Sequence, residues 1–334
     1  MDHAVQELWK RIHSSQKILL INHIRMDGDA WGSLWGLFLV LKEMGKEVRA
    51  INDENVPESL SFLWHREIIE PELQVEEFDP DIIISLDAAD ISRLWESYIK
   101  WKQTFNRKPF VVIDHHISNA GFGSLNIIDT KASSTCELVV FLLLELWLQK
   151  YITSQAATFF YTGIQTDTNM YATSNTSSQT LQIGAKLIEF GADFRLPIEK
   201  CFREKTPEQI ALWKLAYKNI VISDDGSLAH TCITKEDAQE ARIPIQKISE
   251  YLKGFINETL INIRWVNIAF LLYPLAEWGT KCSMRSKDGY DVNAICQKFW
   301  GGGHIQAAGF ESKKQAEILK KEILEITLKP WNTL

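Results

Sequence analysis

Lys17-Ile18-Leu19-Leu20-Ile21-Asn22, running directly into His23-Ile24-Arg25-Met26-Asp27-Gly28-Asp29-Ala30-Trp31-Gly32-Ser33, is the stretch on which the fold turns. The first six residues are a near-continuous apolar run, without the alternation of a strand that has one wet face. Such runs mark strands buried on both sides, as in parallel sheets covered by helices. Ser33 to Met44 then reads as a helix. The polar loop between them carries a histidine and two aspartates at a strand's carboxyl end, where open α/β sheets bind ligands. Gly28 is expected to let the backbone bend tightly between the two carboxylates. Asp and Gly are also ordinary turn residues, so this loop alone carries no chemistry.

The same rhythm recurs downstream. Val48 to Ile51, Ile82 to Leu86 and Phe110 to Ile113 are short apolar runs separated by helix-like stretches. Ser134 to Lys150 and Thr153 to Thr162 have helical spacing and are expected to cover the sheet. The fold class is therefore α/β: a mostly parallel, doubly wound N-terminal sheet over residues 1–190. A helical linker is expected over 191–226, broken at Gly191 and Pro197 and closed by the Ser223-Asp224-Asp225-Gly226 turn. Residues 227–334 read as a smaller α+β domain, with strand-like runs at Leu228 to Ile233, Asn267 to Tyr273 and Lys281 to Arg285 and a closing helix from Lys313 to Thr327.

The chain has 334 residues, 46% of them hydrophobic, enough for two cores. A formal net charge of -7 argues against a basic surface that wraps long duplex nucleic acid, and favours a small anionic substrate held locally. Five cysteines, odd in number and without a CxxC pair, fit neither a disulfide framework nor a zinc ribbon, so a reducing cytoplasm is expected. No run reaches the roughly 18 apolar residues of a membrane span. A membrane partner is not expected.

Three further segments bear on chemistry. Ile82 to Leu86 ends in Asp87, which taken alone is best read as a cap for the next helix. Phe110 to Ile113 ends in Asp114-His115-His116, and Thr162-Gly163-Ile164-Gln165-Thr166-Asp167-Thr168 frames an Asp with small hydroxyl residues. Each signal is moderate alone, but three strands delivering acids or imidazoles to one sheet edge point to a single metal centre. Four carboxylates, Asp27, Asp29, Asp87 and Asp167, would neutralise two divalent cations, with imidazoles completing the shells. Mixed carboxylate and imidazole ligation suits Mn²⁺ better than Ca²⁺, and Mg²⁺ and Co²⁺ remain open. A neutralised centre needs further donors for a phosphate. Lys281-Cys282-Ser283-Met284-Arg285-Ser286 offers a cation and hydroxyls, and Gly301-Gly302-Gly303-His304 offers bare backbone beside an imidazole. A glycine run by itself is usually a flexible turn.

These blocks together resemble the DHH phosphoesterases, most closely the group of bifunctional oligoribonucleases and 3'-phosphoadenosine 5'-phosphate (pAp) phosphatases, also called nanoRNases. The resemblance runs through His23-x3-Asp27-Gly28-Asp29-Ala30-x-Gly32-Ser33, Asp87, Asp114-His115-His116, Gly163-Ile164-x-Thr166-Asp167-Thr168 and Gly301-Gly302-Gly303-His304-x2-Ala307-Ala308-Gly309-Phe310. It implies one metal held by His23, Asp27 and Asp87, and a second held by Asp29, Asp87, His115 and Asp167. Asp87 would bridge, Asp114 would orient a histidine, and His116 would face the scissile phosphate. It further implies that Arg285, Ser286, Gly302, Gly303 and His304 of a DHH-associated C-terminal domain hold the distal phosphate and sugar, with the active site in the interdomain cleft. The expected substrates are small nucleotide bisphosphates and RNA or DNA oligonucleotides of a few residues; a homodimer is compatible with this.

Three positions depart from the family pattern: Met26 stands for the usual Pro, Asn169 for a Gly, and Trp300 for the first Gly of a four-Gly run. None removes an implied ligand, and Trp300 bears on substrate preference, by narrowing the site or stacking on a base. The rival readings are hydrolysis of linear dinucleotides from cyclic dinucleotide turnover and a nucleotide-binding module that has kept the fold without the chemistry.

Overall fold

A computed structural model describes residues 2–24, 26–51, 58–63, 75–252, 254–287 and 289–327. The chain divides into two units, Met1–Glu204 and Lys205–Leu334. The stretch 191–226 is shared between them. Its first part forms the short turns Arg195–Pro197 and Ile198–Arg203, and its second part begins the next unit with the Pro207–Lys218 helix, capped by Thr206.

In the first unit the strands are β1 (Lys17–Asn22), β2 (Glu47–Ile51), β3 (Ile82–Leu86), β4 (Phe110–Asp114) and β5 (Leu125–Ile128). They form a five-stranded sheet in the order β2-β1-β3-β4-β5, with every pair parallel. The apolar runs are buried on both faces. Ile18 and Leu20 of β1 pack into one core with the helices Gly28–Glu43, Thr135–Glu145 and Ser154–Asp167, while Leu19 and Ile21 join a second core around Trp101, Phe105 and Phe110. The chain runs from β1 to β2 on one side and then returns to place β3 on the other. This reversal opens a crevice at the carboxyl ends of β1 and β3, the point where doubly wound sheets bind ligands.

The expected strands are present, but two details differ. The helix that follows β1 starts at Gly28, not Ser33, because Asp27 caps it: its carboxylate accepts from the Asp29 and Ala30 N–H groups at 3.0 Å. Gly28 is therefore not a bend between two carboxylates but the first residue of a helix. It is needed for close packing, since a Cβ there would lie 2.3 Å from Thr166 Oγ1 and 2.5 Å from Thr166 Cγ2. The β-branched Thr166 has little rotamer freedom with which to retreat. Gly28→Ala is thus expected to destabilise the first unit by about 1–3 kcal/mol, the usual range for overpacking. Chemical denaturation with an unchanged midpoint would show that the helices can separate freely.

In the second unit the strands are β6 (Val221–Ile222), β7 (Leu228–Cys232), β8 (Ile268–Pro274), β9 (Thr280–Ser286), β10 (Gly302–His304) and β11 (Ala307–Ser312). The sheet order is β10-β11-β9-β8-β7-β6, antiparallel except for the β7–β8 pair. Ala269, Leu271 and Tyr273 of β8 face one core with the Pro207–Lys218 helix; Ile268, Phe270 and Leu272 face another with the helices Val292–Gln297 and Ala316–Thr327. The glycine run is not a loop. Gly302, Gly303 and His304 pair with Gly309, Ala308 and Ala307 as an antiparallel hairpin. Gly303 has φ +150°, and a Cβ there would meet Ala307 O at 2.4 Å, so a bare backbone is required for this pairing.

Candidate metal centre and substrate-binding strands

The crevice of the first unit gathers every acid and imidazole that the sequence singled out there. Asp87 follows β3 and is almost wholly buried, with φ +57°. Its N–H donates to Ile113 O, extending the ladder by one residue beyond the strand and fixing the side chain at the sheet's edge. His23 Nε2 lies 3.4 Å from Asp87 Oδ2; His115 Nε2 and His116 Nδ1 each lie 3.6 Å from Asp87 Oδ1. His115 Nε2 is also 3.8 Å from Asp29 Oδ2 and 3.4 Å from Asp167 Oδ2. These separations sit at or beyond the limit of a hydrogen bond. Donors turned toward one another at that spacing surround a common point.

Donor atoms of His23, Asp27 and Asp87 lie within 4.8 Å of one another, as do those of Asp29, His115 and Asp167. The first group has the residues of one ligand set implied by the sequence resemblance, and the second has three of the four in the other; the fourth, Asp87, brings Oδ1 to 3.6 Å from His115 Nε2. The electrostatics also suit cations. Burial, followed by the neighbouring carboxylates, pushes Asp29 and Asp167 well above the ordinary carboxylate range. Bare, this cluster holds protons on acids; divalent ions in their place would let every carboxylate ionise. The donor chemistry therefore fits a pair of divalent metals.

Each candidate ligand is held by its surroundings. Asp29 docks on the N-terminus of the Thr135–Glu145 helix, its two oxygens accepting from Thr135 N (2.6 Å) and Cys136 N (2.9 Å), where the helix dipole favours an anion. Thr135 Oγ1 donates to Asp87 Oδ1 at 3.0 Å. One residue thus steadies two ligands. His23 Nδ1 bonds the Ile24 carbonyl at 2.6 Å, which turns Nε2 toward the centre. Burial opposes charge on His23, but Asp87 outweighs it and leaves the net shift upward. His115, which hydrogen-bonds the Ala132 backbone, is shifted downward by burial and stays a neutral imidazole suited to ligation.

Asp114 hydrogen-bonds both histidines that follow it, one through the backbone and one through the ring. Its Oδ1 accepts from the His115 backbone N–H at 2.9 Å and from His116 Nδ1 at 2.8 Å, while Oδ2 accepts from Asn119 Nδ2 at 2.6 Å. The ring it orients is that of His116. Burial resists charge on that ring, yet the Asp114 bond and the Asp87 and Asp27 carboxylates raise His116 to about 9, so it is cationic at neutral pH. The ring keeps 25% of its surface exposed, which suits a group that meets substrate. Asp114→Asn should lower activity about 10- to 100-fold with the fold intact, as lost support for a site commonly does. Normal Mn²⁺ affinity by calorimetry together with normal kinetics would reduce Asp114 to a structural role.

Three contributors were not singled out from the sequence: Thr135, Asn119 and Arg93. Arg93 lies on the Ile91–Leu94 turn, accepts the Ile24 N–H at its backbone carbonyl at 3.0 Å, and brings Nη2 to 3.2 Å from His23 Nδ1. It is a cation at the rim of the acidic centre. Asn169, which follows the Ser154–Asp167 helix, has φ +45°, a conformation that glycine and asparagine tolerate best, so that departure from the family pattern is accommodated.

In the second unit, register does the positioning. His304 pairs with Ala307, Ala307 with Arg285, and Arg285 with Ala269. Directly opposed residues share a face, so an imidazole and a guanidinium flank a floor of alanine. Gly302, Gly309 and Ser283 form the next row of the same face. Arg285 Nε donates to Asn257 Oδ1 at 2.7 Å and Nη1 to Met284 O at 2.8 Å. No carboxylate pairs with it among the described residues, and burial pulls its pKa down. Ser286 is set apart from this row. Alternation places it on the opposite, buried face, where its hydroxyl donates to Tyr290 O at 2.6 Å. Ser283 is the β9 hydroxyl on the Arg285 face.

Among known proteins, residues 17–164 match the model of the DHH family, N-terminal domain. The chain is 30% identical over 296 residues to the bifunctional oligoribonuclease and PAP phosphatase NrnA of Thermus thermophilus, spanning 87% of this chain and 83% of that protein. It is 28% identical to the protein of the same name from Bacillus subtilis, over 91% of both chains. Among solved structures, an exopolyphosphatase-related protein from Bacteroides fragilis superimposes with a TM-score of 0.88 at 25% identity, covering 98% of this chain and 96% of that one.

Proposed function

Since the chain belongs to the DHH family, we propose that it is a two-metal phosphoesterase that hydrolyses short oligoribonucleotides and converts pAp to AMP and phosphate. The observation that carries this reading is the pair of three-residue donor groups at the carboxyl ends of β1, β3 and β4 and of the Ser154–Asp167 helix. His23, Asp27 and Asp87 would hold one ion, and Asp29, Asp87, His115 and Asp167 the other. Mn²⁺ is the preferred ion, on the mixture of carboxylate and imidazole donors. When bound, the pair supplies Lewis acidity and water activated near neutral pH.

The chain's own residues do the remaining work. Asp114 fixes His116 through Nδ1 and favours its charged form, in which the ring can donate to a phosphoryl oxygen on which charge builds. Arg93 adds a second cation at the rim, which matters because four carboxylates and two divalent ions sum to no net charge. Arg285 and His304, with the bare Gly302 and Gly303 strand between, are the groups proposed to take the substrate's distal phosphate and sugar. Such contacts orient the nucleotide and lower the entropy cost of reaching the reactive geometry.

Digesting 5'-labelled and 3'-labelled RNA dimers to pentamers with Mn²⁺ tests the substrate class and also gives the direction of attack. Mononucleotides should accumulate fastest from the shortest chains. Rates that climb steadily with length beyond the pentamer would point instead to an exonuclease of long single strands.

A further inference from the structure

Trp300 occupies a position that its conformation makes costly and its environment does not repay. The Val292–Gln297 helix ends in a turn in which Trp300 N–H bonds Gln297 O at 3.0 Å and Gly301 N–H bonds Cys296 O at 2.9 Å. This is the helix ending whose left-handed residue is usually glycine. Trp300 has φ +62° there, where an L side chain is disfavoured. The indole recovers nothing by packing, because the residue is 98% exposed. Strained residues that persist without structural gain concentrate at functional sites.

Its surroundings say what it meets. Phe299 is stacked on Phe310, with centroids 4.4 Å apart and planes 9° apart, so the backbone just before Trp300 is anchored to β11. Gly301, just after, abuts the same strand: a Cβ on it would lie 2.3 Å from Gly309 O. Two residues on, Gly302 begins the strand that carries His304, which faces Arg285 across Ala307. Consecutive Cα atoms are about 3.8 Å apart, so Trp300 stands within a single nucleotide's length of those phosphate-binding candidates. We propose that Trp300 is a rigidly mounted stacking platform for the substrate's nucleobase, giving this enzyme a preference for base-bearing substrates that metal and phosphate contacts alone do not confer. This deepens the proposed function and rests on it.

Trp147 provides an internal control. It too is left-handed, at φ +57°, and 80% exposed. It follows the far end of the Thr135–Glu145 helix, whose first turn holds Asp29, and eleven residues of helix separate the two ends by about 16 Å. Conformation and exposure match those of Trp300; proximity to substrate-binding candidates does not.

The test compares full-length Trp300→Gly, Trp300→Phe, Trp300→Leu and Trp147→Gly in Mn²⁺, measuring KM for pAp and for the corresponding ribose bisphosphate without a base, together with the thermal midpoint. Trp300→Gly should unfold no lower than the parent, because glycine suits the backbone, yet its KM for pAp should rise about tenfold, within the range for losing one base–aromatic stack. Trp300→Phe should stay within roughly threefold of the parent, and Trp300→Leu, apolar but without a π face, should resemble the glycine variant. The abasic bisphosphate should be indifferent to all of them, and Trp147→Gly should bind like the parent. An unchanged KM for pAp in Trp300→Gly overturns the stacking role, and so does a clear fall in its thermal midpoint with equal KM losses on both substrates. A parent enzyme that releases no phosphate from pAp refutes the proposed function itself, a failure distinguishable from either of these.

Discussion

Asp87→Ala is expected to abolish turnover and to reduce the bound metal from two ions to one or none. The residue is wholly enclosed, and its two oxygens face different partners: Oδ2 toward His23, and Oδ1 toward His115, His116 and the Thr135 hydroxyl. Burial alone would keep such a carboxyl protonated, but the histidines around it hold its pKa well below the usual range, so it is an anion even before a metal arrives. No neighbouring acid can replace it. Asp29 and Asp167 are themselves pushed toward protonation, and neither pairs with His23 as Asp87 does. Removing the shared anion leaves a centre with too little charge for two dications and with imidazoles deprived of their partner. Metal content by mass spectrometry on the native protein reads this directly. Two ions still bound and full activity at saturating Mn²⁺ would remove Asp87 from the centre.

Arg285→Ala should have a different signature. KM for pAp should rise by an amount equivalent to about 1.5–3 kcal/mol, the range for a hydrogen bond to a charged group, with kcat little changed. Loss of binding made in both ground and transition states raises KM, whereas loss of a metal ligand lowers kcat. The guanidinium is prepared for an anion: Asn257 and the Met284 carbonyl fix it, and a half-buried cation without a carboxylate partner among the described residues gains when a phosphate supplies one. A chromogenic phosphodiester lacking the distal phosphate should hardly register the change. Wild-type kinetics on pAp in both Arg285→Ala and His304→Ala would leave the hairpin as a structural turn.

What was legible in the sequence follows from how local the signal is. The apolar runs at Ile82 to Leu86 and Phe110 to Ile113 name their strands because burial on both faces leaves no polar positions, and the acids just beyond them lie at the sheet edge by construction. Parallel order alone then brings Asp27, Asp87 and Asp114 together. Gly28 was read through its conformational freedom when the relevant fact is Thr166, a contact made 138 residues later in the chain. Arg93 and Thr135 were invisible for the same reason. An arginine on a short turn and a threonine at a helix start are ordinary locally, and their meaning comes from His23 and from Asp29 and Asp87. Ser286 and Ser283 show how sharp the strand period is, since one step along β9 exchanges the buried face for the one that carries Arg285. The glycine run read as a loop because glycine is poor in strands; here a close antiparallel partner requires it.

On the proposed function, a metal pair at Asp87 makes this chain a nucleotide phosphoesterase. Phosphate release from pAp, followed while Mn²⁺ is titrated into metal-stripped protein, tests it most directly. Release should be absent without metal, rise with Mn²⁺, and reach its plateau when two ions are bound per chain. A protein that carries two ions per chain and still releases no phosphate from pAp, and no mononucleotide from RNA dimers, would contradict the account and leave a metal-binding module without the chemistry.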